Sequence, residues 1–152
     1  MNGQTNGPRW PGEQPAETSQ DAPSLFDFTE RLERSFRSRH SGHTWFAEVE
    51  AKMHAYRACL QHHVAAADGE TGWISDLRDD SPRIEPLARR ARGEFAQLDV
   101  HALAGMSTLR RPNRQVREVR HDLRQLIELT RQHRARCARL VHEALAVDIG
   151  AG

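Results

Sequence analysis

Two inward-facing residues of the closing stretch RQHRARCARLVHEALAVDIGAG (131–152) are of types that hold metals or move protons. His133 and Cys137 stand four apart, so on a helix they share one face, and on that face leucine would be the ordinary occupant. His63 takes the same kind of place in an earlier apolar stripe. Imidazole nitrogen and thiolate sulfur are the donors of zinc sites, and a thiol beside an imidazole is also the pairing of a cysteine nucleophile with its base. The third alternative is that all three are core residues satisfied by hydrogen bonds, free cysteine behaving there as a small hydrophobe.

Which alternative holds depends on the elements that carry these residues. Ser24 opens a helical pattern, with Asp27 three positions on in the manner of a capping box and Leu25, Phe28, Leu32 and Phe36 as its stripe. Gly42 is the expected hinge to a second helix, whose inward seam reads Phe46, Val49, Met53, Tyr56, Leu60, His63, Ala67. GETGWISDLRDD is expected to be a loop or short turn, with Trp73 and Ile74 covering one end of the core. Ser81-Pro82 marks the start of a third helix, N-cap then proline at the first position, with Ile84, Leu87, Ala91, Phe95, Leu98 and Ala102 as its stripe. Gly105 and RRPN separate it from a fourth helix carrying Val116, Val119, Leu123, Leu126, Thr130, His133, Cys137, Leu140 or Val141, and Ala144, which ends at Gly150. No β-type alternation occurs. The expected fold is all-α, an antiparallel up-down-up-down four-helix bundle over residues 24–152. The first 23 residues, rich in glycine and proline with Trp10 as the only large side chain, are expected to form a disordered tail.

The composition narrows the partners. With 152 residues the chain buries enough surface to fold without a metal or disulfide, so a bound ion would serve function. Cys59 and Cys137 fit no zinc ribbon or redox pair. No stretch approaches 18 consecutive apolar residues and no secretory signal pattern opens the chain, so the expectation is a cytoplasmic protein with no membrane partner. The 22 basic and 21 acidic residues nearly cancel. Between Arg110 and Arg139, however, ten arginines face only Glu118, Asp122 and Glu128, an excess of seven. Arg114, Arg117, Arg120 and Arg124 share one face of the fourth helix. Phosphate contact by that row is the nucleic-acid alternative, against which stand its local extent and the lack of a helix-turn-helix or aromatic stacking pattern.

The stretch HVAAADGETGWISDLRDDSPRI resembles the second-helix region of hemerythrin-like (HHE) proteins, in which a histidine is followed four residues later by a carboxylate, a glycine-containing turn and a proline-led third helix. LARRARGEFAQL resembles the family's third helix, and the closing stretch its last, down to Asp148-Ile149-Gly150. The likeness covers about residues 60–152. It implies a four-helix bundle holding two irons between histidines and bridging carboxylates, with His63 and His133 at histidine-ligand positions. The chain departs from the pattern at Ala67 and Cys137, where the bridging carboxylates belong, and at Phe95, where a histidine belongs.

Two imidazoles and a thiol cannot neutralise a diiron centre in a low-dielectric core. The expectation is therefore a hemerythrin-like module without an intact diiron site, its polar seam residues relics of a metal frame, which binds or senses an unidentified protein or small ligand. The alternative is a metal-binding member, with iron or zinc at His63, His133 and Cys137, acting in oxygen, nitric oxide or iron handling. Zinc would leave one open position. No enzyme is expected: there is no phosphate-cradling glycine loop and no paired carboxylates on a seam.

Overall fold

The computed structural model describes residues 24–150. The expected tail, with Trp10, lies outside the described residues. Within them the chain is all-α, without a strand: α1 (Leu25–Arg37), α2 (His43–Ala67), α3 (Trp73–Asp80), a 3-10 turn (Pro82–Ile84), α4 (Glu85–Arg110) and α5 (Val116–Gly150). No helix among them is long and apolar enough to cross a membrane.

The first helix starts as its sequence dictates. The Ser24 side chain accepts from the Asp27 amide, and the Asp27 carboxylate takes the Ser24 amide at 2.8 Å, satisfying two of the free amides of the first turn. α1 lies against α2 and α5, and α4 lies against the same two helices. The buried seams of α2 and α5 follow the heptad-like steps of the sequence, through Val49, Met53, Tyr56 and Leu60 on one and Val119, Leu123, Leu126 and Leu140 on the other. On α5 it is Leu140, not Val141, that is buried.

Four expectations need correction. The seam of α2 opens at Trp45, which is buried and donates its indole N–H to the Ser35 carbonyl at 3.1 Å, while Phe46 is only partly covered. The segment read as a loop or turn forms the eight-residue helix α3. Its reason is length: α1, with 13 residues, spans about 20 Å at 1.5 Å per residue, against about 37 Å for the 25 residues of α2. α1 therefore covers only part of the core. A second hydrophobic cluster of Ala67, Ile74, Ile84, Ala88, Ala91, Phe95, Leu140 and Ala144 has no member from α1, and α3 supplies Ile74 to it.

Ser81-Pro82 does not start the third long helix either. The Ser81 amide closes α3 on the Leu77 carbonyl, its hydroxyl makes no cap, and a 3-10 turn intervenes before α4 begins at Glu85. Finally, Gly105 lies inside α4 rather than after it. A Cβ there would stand 2.9 Å from the Met53 Cε, so the glycine lets α2 and α4 approach closely.

Candidate metal centre

The three residues singled out by type and spacing converge. His63 comes from the last two turns of α2, and His133 and Cys137 from adjacent turns of α5. They lie between the two hydrophobic clusters, neither of which contains them. The His63 and His133 Nε2 atoms are 3.1 Å apart, and the Cys137 Sγ is 3.4 Å from the same His133 nitrogen. One donor atom from each residue falls within 4.8 Å of the others. His133 is fully buried and Cys137 is 4 % exposed.

The surroundings fix how these groups present themselves. The His133 Nδ1 is 2.7 Å from the Glu94 Oε2. A carboxylate only accepts, so Nδ1 carries the proton and Nε2 presents its lone pair to His63 and Cys137. Glu94 is itself held by the Arg136 guanidinium. Phe95, next to Glu94 on α4, sets its ring edge-to-face against both imidazoles, with centroids 5.8 Å from His63 and 5.1 Å from His133. Phe26 of α1 flanks His63 from the other side at 6.1 Å. Rings on several sides keep the imidazole planes from turning.

Burial sets the protonation. Desolvation, reinforced by the neighbouring His133, pulls the His63 pKa down to about 4. His133 is also lowered by burial, against the raising effect of its bond to Glu94. Burial and the Glu94 charge push the Cys137 thiol up to about 12. The site without metal thus holds two neutral imidazoles and a protonated thiol.

Cys137, His133 and Glu94 have the connectivity of a thiol–imidazole–carboxylate relay. A buried thiol with a raised pKa is the reverse of an activated nucleophile, which needs a stabilised thiolate and access for a substrate. As metal donors the same atoms are well suited. A tetrahedral zinc bound by two imidazole nitrogens and a thiolate separates its donors by about 3.3 to 3.6 Å, given bond lengths of about 2.0 to 2.3 Å. The two separations at His133, 3.1 and 3.4 Å, lie within a few tenths of an ångström of those values. Zinc and one thiolate leave a single positive charge, and the Glu94 carboxylate, shared between His133 and the Arg136 guanidinium, stands next to it, a far smaller burden for a core than a diiron centre.

A diiron centre does not fit. Ala67 and Cys137 offer no bridging oxygen, the Phe95 ring packs where a third-helix ligand would project, and the one nearby carboxylate is engaged by His133 and Arg136. Asp68, next to Ala67, turns outward to Arg92 at 3.0 Å.

Sequence reasoning assigned no role to Glu94, Arg136 or Phe26. The i, i+3 spacing of His133 and Arg136 was a usable signal, since it lets one carboxylate on a facing helix meet both. No protein-family model, curated protein or solved structure matches this chain.

Proposed function

We propose that this protein is a hemerythrin-like antiparallel four-helix bundle in which a single zinc ion, held by His63, His133 and Cys137, takes the place of a diiron centre. In this reading it is a binding or sensing module whose metal keeps one position open for a small ligand. The helix directions it needs are supported by ordered contacts. On α1 and α5, Glu33 meets Arg131, Phe36 meets Arg124 and Ser38 meets Arg120, one number rising as the other falls. On α2 and α4, Arg57 pairs with Asp99 and His63 packs on Phe95 in the same sense.

The observation that carries the zinc assignment is the convergence of three donors around a His133 whose far nitrogen is fixed by a carboxylate. Metal-bound histidines recurrently have this outer partner, because it sets the tautomer and raises ligand basicity. A thiolate among the donors favours zinc over iron. Bound zinc would supply a Lewis-acidic position in an otherwise apolar interior. Glu94 would hold His133 in place, and Phe95 would shield the donors from water.

Elemental analysis of protein purified without added metal, alongside a visible spectrum, tests this. We expect about one zinc per chain, no oxo-bridge absorbance, and loss of the zinc in His133→Ala with helical circular dichroism retained. About two irons per chain would restore the diiron reading, and background metal alone would leave the three residues as core polar groups.

A further inference from the structure

We propose that the cleft beside the start of α5 is a second binding site, for a small phosphorylated ligand of nucleotide size. The cleft, about 560 Å³, is lined by Phe36, Val116, Arg117, Arg120, His121 and Arg124. That volume lies within the range of small-molecule sites. Its walls hold three guanidiniums and an imidazole and no carboxylate.

No carboxylate among the described residues meets these three guanidiniums. Among the described residues, Arg117, Arg120 and Arg124 make no ion pair, whereas Arg131, Arg136 and Arg139 further along the same helix pair with Glu33, Glu94 and Glu143. Arg120 spends one nitrogen on the Ser38 and His40 carbonyls, and its Nε, shielded from solvent, has no hydrogen-bond partner. Positive charge in the first turns of a helix also opposes the helix dipole, so the row lowers stability until an anion meets it. Arginine's planar fork suits phosphate oxygens.

Two features select the size of the ligand. Phe36 and Val116 give the cleft an apolar wall, and the Arg124 guanidinium stands 5.1 Å from the Phe36 ring centroid, a surface on which a planar base can lie. Beyond Arg117 and His121 the next groove carries Glu118 and Asp122. A nucleic-acid backbone, with a phosphate on each strand about every 3.4 Å of duplex axis, would run on to those carboxylates. A compact phosphorylated ligand stops short of them.

The Trp45 ring lies 5.6 Å from the Arg120 guanidinium, so tryptophan fluorescence can follow binding. The test titrates the full chain with ADP, inorganic phosphate and a DNA duplex. We expect saturable ADP binding with Kd below about 1 mM, weakening with salt. In a double variant, Arg117→Ala with Arg124→Ala, it should weaken by about tenfold or more while helical circular dichroism is unchanged. Arg120 is left in place because it anchors the turn after α1. His133→Ala should bind ADP as tightly as the parent chain, and loss there would put the ligand on the metal instead and overturn the proposal. It is equally overturned by no saturation with ADP, by unchanged affinity in the double variant, or by phosphate binding as tightly as ADP. DNA binding tighter than ADP, with affinity growing with duplex length, would replace it with a nucleic-acid surface.

Discussion

Cys137 and His63 distinguish a working site from a core that merely tolerates polar groups. If the thiol only fills space, Cys137→Ala costs about 1 kcal/mol with or without metal, the ordinary effect of removing a small buried group. If it is a ligand, denaturant melts should show that modest cost in chelator and a clearly larger one with zinc. Acid gives a second readout on the chelated protein. The folded-state pKa of His63 is depressed to about 4 from an ordinary 6.5, so between these values the unfolded chain binds more protons. Stability therefore rises with pH across that window and levels off above it. Thermal midpoints should fall as pH drops from 6.5 toward 4, and His63→Leu should flatten that limb; an unchanged limb would mean that other groups carry it. The three site residues were legible because a seam position is read from periodicity alone. The bond from Glu94 to His133 was not, because it depends on the register of α4 against α5, which is set by packing between helices and leaves no trace within either stripe.

At the level of elements, the turn between α2 and α3 holds the sharpest geometric constraints. Gly69 has a φ of 93°, left-handed backbone that a side chain adopts only with strain. At Gly72 a Cβ would stand 2.4 Å from the Ala67 carbonyl oxygen, a clash with backbone that cannot swing aside. Gly69→Ala should cost about 1 kcal/mol and Gly72→Ala about 2 kcal/mol or more, both seen as lowered denaturant midpoints at constant slope. If Gly72→Ala proved neutral, α3 would not be docked through this turn as described. The long helices were readable because their apolar stripes repeat over many turns. α3 was hidden because its short segment presents only Trp73, Ile74 and Leu77 to the core, too few to establish a period. Its helicity follows from the shortness of α1, which is a property of the assembly. Ser81 misled for a related reason: its amide was already committed to closing α3.

For the whole molecule, zinc bound as proposed would make metal affinity and folding one equilibrium. The proposed ligands come from α2 and α5, which α1 and α4 each touch but whose own backbones do not approach closely. They do meet through two polar pairs, Tyr56 with Thr130 at 2.7 Å and His63 with His133 at 3.1 Å. An ion at the second pair would add a direct tie between these two helices. Ligand that binds only the folded chain stabilises it by RT ln(1 + [L]/Kd), about 2.7 kcal/mol at one hundred times Kd. For a chain of this size that is a rise of roughly 5 to 10 °C in Tm. Calorimetry across a zinc series should show Tm climbing with the logarithm of free zinc, with the climb abolished in His133→Ala and in Cys137→Ala. In Glu94→Gln the neutral amide still orients the imidazole but withdraws a negative charge from beside the ion. The climb should therefore persist there, displaced to about tenfold or more higher zinc. A midpoint indifferent to zinc in the parent chain would mean that the three donors meet only as part of the core.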